Sequence, residues 1–224
     1  FAVMMALYLS RKVGYMQKQL DQNHQFHFSP YFMVRLMSEQ TVGIIGTGRI
    51  GQEAIKLFKG LGSKVIAYDK YPQKTTNGQF VYVNDIEELL TQSDIISIHM
   101  PATEDNYHQF NHEVFEKMKD TALLINTARG SIVKTDDLLF ALQSGEIAGA
   151  GIDTIENESA DLQDSRSTKQ VTDPDVIKLS MMPNVLITPH SAFHTSEAVR
   201  NMLDISLSNL VSLTNSDKPK DLVD

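Results

Sequence analysis

The sequence predicts an α/β fold: a doubly wound parallel sheet with helices on both faces. Three observations carry that prediction. From residue 41 onward, short runs rich in Val and Ile alternate with helix-like segments, the pattern of strands buried on both faces and joined by right-handed crossovers. Three glycines, Gly46, Gly48 and Gly51, stand between the first such run and the first such helix. An acidic residue, Asp69, closes the second run.

Each element follows from local pattern. Phe1 to Leu20 reads as one helix, with apolar positions at Val3, Met4, Leu7, Tyr8, Val13 and Met16. Asp21 to Glu39 is polar and aromatic and reads as a connector. Thr41–Ile45 is a strand, Ile50–Leu61 a helix closed by Gly62, and Lys64–Tyr68 a second strand. Asp85–Gln92 is a helix with acidic residues in its first turn, where the helix dipole favours them. Ile95–His99 is a strand stopped by Pro101, and Asn111–Lys117 a short helix. Ala122–Asn126 is a strand, Thr135–Gln143 a helix ended by Gly145, and Ala148–Asp153 and Val185–Thr188 two further strands. Asn157–Pro174 is polar and reads as a long surface loop. Thr195–Leu213 is an amphipathic helix followed by a charged tail.

The glycines form a G-x-G-x-x-G phosphate cradle in its expected strand–turn–helix context. Gly46 permits the tight turn, Gly48 lets a pyrophosphate approach the backbone, and Gly51 lets helix and strand pack closely. The helix that follows offers unpaired N–H groups and a positive dipole end. Asp69 lies eighteen residues after Gly51, where a Rossmann unit places the carboxylate that accepts from the adenosine ribose. That carboxylate would repel a 2′-phosphate, so NAD is favoured over NADP. Lys70 stands beside it as a cation that could reach a phosphate.

Composition narrows the partners. The net charge of −8 argues against nucleic acid or an anionic membrane. The chain has no cysteine, which removes disulfides, thiol chemistry and cysteine metal sites, and suits a cytoplasmic location. No apolar run is long enough to span a bilayer.

Polar residues at later strand ends are candidates for chemistry, because ligands of open α/β sheets sit beyond the carboxyl ends of strands. Arg129 follows a strand directly, and its guanidinium can grip a carboxylate through two parallel hydrogen bonds. Asp153 ends a strand, with Glu156 and Glu158 in the turn beyond; Glu156 reads as a solvated acidic residue. His190 follows a strand and Pro189 and is the best general acid/base candidate. His24, His27, His99, His108, His112 and His194 read as structural, and no pair has metal-ligand spacing with carboxylate support.

Together these segments resemble the D-isomer-specific 2-hydroxyacid dehydrogenases, most closely their D-lactate branch. The resemblance runs through Val42–Gly51, Ser97–Pro101, Asn126–Gly130, Gly145–Asp153 and Thr188–Phe193. It implies that Arg129 binds the substrate carboxylate and carbonyl, that Glu158 pairs with the catalytic histidine, and that His190 is the proton donor. A carboxylate beside the imidazole would favour its donating form. By the same resemblance Gly46, Gly48, Arg49, Ile50, Gly51, Asp69, Met100, Pro101, Asn106, Thr127, Ala128, Arg129 and Asp153 line the NAD site. The implied substrate is a small 2-oxo or 2-hydroxy acid. The implied partner is a second copy of the chain, paired around the leading helix.

Family members carry further residues before this start, which build most of a substrate domain. The expectation is therefore an N-terminally truncated chain that binds NAD and turns over little alone. Residues 1–194 form the NAD-binding domain with its leading interface helix, and residues 195–224 a helix and tail returning toward the absent domain. His194 stands where lactate-specific relatives often carry an aromatic residue, so D-2-hydroxyisocaproate or a broader range of 2-oxo acids is the nearest alternative. Phe193 is a possible wall for a small side chain. From another class, a few relatives are NAD(H)-sensing corepressors that bind proteins.

Overall fold

A computed structural model describes residues 1–73, 78, 80–158 and 170–214. The chain divides into two compact units, Phe1–Pro189 and His190–Asp224. The first unit holds seven strands: β1 (Thr41–Ile45), β2 (Lys64–Tyr68), β3 (Val81–Tyr82), β4 (Ile95–Ile98), β5 (Leu123–Asn126), β6 (Gly149–Ile152) and β7 (Val185–Ile187). Their order is β3-β2-β1-β4-β5-β6-β7, and every pairing is parallel. The order reverses between β1 and β4, the switch point at which doubly wound sheets bind ligands.

All residues of β4, β5 and β6 are buried, which is why these strands read as unbroken apolar runs. Side chains alternate between the two faces. On one face Ile96, Ile98, Leu124 and Ile152 meet Leu89, Phe110, Phe115 and Leu142. On the other, Val42, Ile44, Ile95 and Ile125 meet Met5, Ala6, Leu9, Ile55 and Phe58. The first face is covered by α4 (Ile86–Gln92), α5 (His112–Phe115), α6 (Thr135–Ser144) and α7 (Pro174–Ser180). The second is covered by α1 (Ala2–Ser10) and α3 (Arg49–Gly60).

The leading segment corrects the single-helix expectation. It breaks after α1, and α2 (Val13–Asn23) restarts beyond Lys12, whose φ of +54° is left-handed. Lys12 Nζ donates to the Tyr31 carbonyl at 2.8 Å and lies 3.9 Å above the Tyr31 ring centroid. This anchor holds the chain in a conformation that costs a non-glycine residue about 1–2 kcal/mol. Met5 and Ala6 of α1 are fully buried, whereas no residue of α2 is. The connector after α2 contains two short 3-10 turns, Pro30–Phe32 and Met37–Glu39. Besides the 3-10 turns Glu104–Asn106 and Gly130–Ile132, a strand and a helix go unread in sequence. β3 has only two residues and offers no pattern. α7 begins at Pro174, with the Asp173 carboxylate accepting from the N–H groups of Asp175 and Val176. Asp-Pro at a helix start is a recognisable cap signal. Within the polar stretch expected as a loop, residues 159–169 lie outside the described residues, as does the charged tail from residue 215.

In the second unit, α8 (Ser196–Thr214) is capped by the Thr195 hydroxyl, which accepts from Ala198 N–H at 3.1 Å. Among the described residues no helix is long and apolar enough to cross a membrane.

At the amino edge of the sheet, the buried Asp94 ties β1 to two connecting segments. Its carboxylate accepts from Thr41 N–H at 2.7 Å, Lys119 at 3.0 Å and Arg35 at 3.1 Å. Burial opposes its ionisation, but the Thr41 N–H and the Lys119 and Arg35 cations prevail and hold its carboxyl below the ordinary value. With the folded-state value depressed, the stabilisation is complete above the ordinary carboxylate value of about 3.9 and fades as pH falls below it. We therefore expect Asp94→Asn to lower stability near neutrality by about 1–3 kcal/mol and to flatten the acid limb of the stability curve. Urea midpoints measured from pH 6 to pH 2 check this; parallel curves for variant and parent would refute it.

Candidate functional site

The carboxyl end of β1 turns into α3 at the switch point. Gly46 has a φ of +91°, and its N–H donates to the Tyr68 carbonyl at 2.9 Å. A Cβ there would lie 2.7 Å from the backbone of His99 and Met100. A Cβ on Gly51 would fall onto the Gly46 carbonyl oxygen. Gly48 differs: it caps α3, and a Cβ on it would meet nothing within 4 Å. Two glycines thus close the turn, while the third leaves open space at a helix start whose first N–H groups lack helical partners. The space and the donors fit a pyrophosphate. Arg49 and Ile50 open the helix beside it, and Ile50 is exposed.

Asp69 follows β2. Its Oδ2 accepts from the Thr47 N–H at 2.6 Å and the Thr47 hydroxyl at 2.8 Å, and its Oδ1 accepts from Tyr71 N–H at 2.9 Å. Partial burial opposes ionisation, but the Thr47 and Tyr71 N–H groups and the Thr47 hydroxyl outweigh it and lower the carboxyl below its ordinary value. Thr47 also shares a 2.8 Å hydrogen bond with the Tyr82 hydroxyl. Sequence reasoning found Asp69 but missed Thr47 and Tyr82 as its supports. The middle residue of G-T-G was the available signal for Thr47, and β3 was too short to signal Tyr82. Lys70 pairs with Asp105 at 3.2 Å.

Beyond β4, Met100 and Pro101 enter a loop shaped by Asn106. The Asn106 amide donates to the Pro101 carbonyl at 2.8 Å, and its oxygen accepts from Thr103 N–H at 2.8 Å. This side chain organises the loop. His99, read as structural, is neutral: burial pushes its pKa down to about 4, and Ser97 Oγ lies 2.9 Å from its Nε2.

Beyond β5, a fully buried residue that sequence reasoning did not single out builds the next turn. Asn126 donates to the Arg129 carbonyl at 2.9 Å and accepts from Ala128 N–H at 3.1 Å. The turn Thr127–Ala128–Arg129 is thereby fixed, and the exposed Arg129 guanidinium donates to the Ala128 carbonyl at 2.7 Å. Gly130 comes next, where a Cβ would collide with the carbonyl of Ile155.

Beyond β6, Asp153 is 1% exposed and accepts from the Thr188 hydroxyl. Glu156 corrects the solvated reading. Its Oε2 accepts from Thr135 N–H at 3.2 Å and Thr135 Oγ1 at 3.0 Å, and its Oε1 pairs with His108 Nε2. Burial opposes its ionisation, and the Thr135 N–H and His108 lower its carboxyl despite that. Glu158 follows, half-buried, after Asn157 with a φ of +56°.

The structure therefore gathers Gly46, Gly48, Arg49, Ile50, Gly51, Asp69, Met100, Pro101, Asn106, Thr127, Ala128, Arg129, Asp153 and Glu158 in segments at the carboxyl ends of β1, β2, β4, β5 and β6. His190 opens the second unit with a left-handed φ of +48°. Its ring meets Phe193 edge-on at 5.8 Å.

A doubly wound sheet with this glycine turn and a carboxylate at the end of β2 defines a dinucleotide-binding domain. The chain belongs to the D-isomer specific 2-hydroxyacid dehydrogenase family, and residues 3–192 match that family's NAD binding domain. NAD is the cofactor of this domain, and the Gly48 opening and the Asp69 carboxylate fit it. The chain is similar to a D-2-hydroxyacid dehydrogenase (NAD+) of Lacticaseibacillus paracasei, 46% identical over 211 residues, or 94% of this chain and 63% of that protein. A D-2-hydroxyisocaproate dehydrogenase structure is 45% identical, with a TM-score of 0.88 over 97% of this chain and 66% of that one. D-lactate dehydrogenase with NAD+ from Lactobacillus jensenii is 36% identical, with a TM-score of 0.88 over all of this chain and 67% of that one. The chain thus spans about two thirds of the length of these relatives.

Asp69→Asn removes the charge that would accept from the ribose. NADH affinity is expected to fall about 10- to 100-fold, the worth of hydrogen bonds to a charged group, while NADPH affinity falls far less. Titration of nicotinamide fluorescence measures both. Equal losses for the two cofactors would remove Asp69 from the choice between them.

Proposed function

We propose that this chain is the cofactor-binding part of an NAD-dependent D-2-hydroxyacid dehydrogenase, with reduction of pyruvate to D-lactate as the first reading. The observation that carries it is the Arg129 turn. Asn126 and Gly130 fix an exposed guanidinium at the carboxyl edge of the sheet, one strand away from the turn that bears Glu158. Bound NADH supplies a hydride from its nicotinamide. Arg129 holds the substrate carboxylate and steadies negative charge developing on the C2 oxygen. His190 gives that oxygen its proton, and Glu158 is the carboxylate that the family resemblance assigns to support it. In the reverse direction His190 takes the proton from the hydroxyl.

A branched substrate is the second reading, favoured by the 45% identity to a D-2-hydroxyisocaproate dehydrogenase against 36% to a D-lactate dehydrogenase. His194, in place of an aromatic residue, also supports it. A cytoplasmic location belongs to the same proposal. The test uses the complete chain encoded by the gene. Its kcat/KM is compared for pyruvate and 2-oxoisocaproate, with the larger value naming the substrate. His190→Ala should cost about 100- to 10,000-fold in turnover and leave NADH affinity nearly unchanged. Undiminished turnover in that variant would take His190 out of the mechanism.

We also propose that the chain pairs with a second copy, as the family resemblance implies. Supporting this are Phe26, Phe28 and Met33 in the connector after α2, exposed to 93%, 82% and 75%. Such apolar exposure is typical of a protein contact. Light scattering should give twice the chain mass, and replacing Phe26 and Phe28 with Ser should give a monomer. A wild-type monomer at tens of micromolar would sink this part.

A further inference from the structure

One junction in the first unit has no part in the chemistry above. The Glu156 carboxylate is only 16% exposed and connects three loops. Its Oε2 accepts both donors of Thr135, the first residue of α6. Its Oε1 pairs with His108, in the loop after β4 that Asn106 shapes. Glu156 itself lies two residues before Glu158.

The surrounding backbone makes this connection tight. His108 N–H donates to the Ser131 carbonyl at 2.9 Å, two residues past Arg129. The Tyr107 ring stacks on the His108 ring at 3.8 Å. The absent Cβ of Gly130 lets the Arg129 turn rest directly on the backbone of Ile155 and Glu156. Two residues of the junction are left-handed, His108 at +53° and Asn157 at +56°. Non-glycine residues stay in that region when their surroundings over-determine them. The hydrogen bonds of Glu156 and His108 supply that determination.

From this geometry we propose that the Glu156–His108 pair is a positioning device for the dehydrogenase reaction. Its bonds join protein groups: Glu156 to His108 and Thr135, and His108 N–H to the Ser131 carbonyl. It fixes the turn that carries Glu158 against the turn that carries Arg129, so that the substrate clamp and the partner of the proton donor keep one separation. The inference rests on the proposed function. Without the carboxylate, Thr135 and His108 lose their common acceptor, Asn157 relaxes, and Glu158 leaves its place. A displacement of about 1 Å in a reacting constellation can cost about 100-fold in rate.

The test is made on the complete chain, with kcat and KM for the better 2-oxo acid measured beside NADH affinity by fluorescence titration. Glu156→Ala should lower kcat about 100-fold while NADH affinity stays within about twofold. Glu156→Gln should recover most of the rate, because its oxygen still accepts from Thr135 and its amide can donate to the other tautomer of His108. His108→Ala should lower kcat about tenfold with NADH affinity kept, and it carries the test if Glu156→Ala does not fold. The double variant should be no worse than Glu156→Ala, as for two residues acting as one unit. Unchanged kcat in both single alanine variants overturns the proposal. So does a loss of NADH affinity equal to the loss of kcat, or a glutamine variant as impaired as the alanine one. If the parent chain reduces no 2-oxo acid, the dehydrogenase reading fails first and this inference with it.

Discussion

The contact between Gly51 and the carbonyl of Gly46 is the constraint from which the rest of the site follows. It requires the start of α3 to lie against the end of β1 with no side chain between. Closing that gap aims the helix N-terminus at the switch point and leaves Gly48 at the edge of open space. Thr47 is pinned in the same turn, and its N–H and hydroxyl hold Asp69 in its ionised form. One steric fact thereby orients both the start of α3 and the Asp69 carboxylate. Larger residues at Gly46 or Gly51 would undo both together.

Buried polar side chains perform the same service at the other strand ends. Asn126, Asp153 and Thr47 are almost wholly buried and each is hydrogen-bonded, as groups withdrawn from water must be. They shape the backbone that presents the outward residues. At this edge of the sheet, polar residues inside provide architecture, while Arg129 stands exposed.

How much of this was legible in sequence depended on the span of the interactions. β1, β2, β4, β5, β6 and β7 are legible within a residue or so at each end as short apolar runs, and in β4, β5 and β6 burial on both faces makes the run continuous. The roles of Gly46, Gly48 and Gly51 were legible because they are steric and local. The break at Lys12 was not, since it depends on Tyr31, nineteen residues away. Glu156 was misread for the same reason: Thr135 lies 21 residues from it and His108 lies 48. An acidic residue in a turn looks solvated until its distant partners are known. Asn126 reads in sequence only as the end of an apolar strand and the start of a family-like stretch; its role shows in the bonds its side chain makes.

The docking of α1 has a consequence for synthesis. Met5 and Leu9 are buried against a sheet face that includes Leu123 and Ile125, and Met5 and Leu9 stand over Gly151. Made before β5 and β6, α1 can take its seat only after they have formed. Until β5 and β6 have emerged, the apolar face of α1 lacks the part of the sheet that covers it. Long-range closures of this kind are slow and leave sticky surface exposed meanwhile. The order of translation and the order of assembly run in opposite senses in this domain.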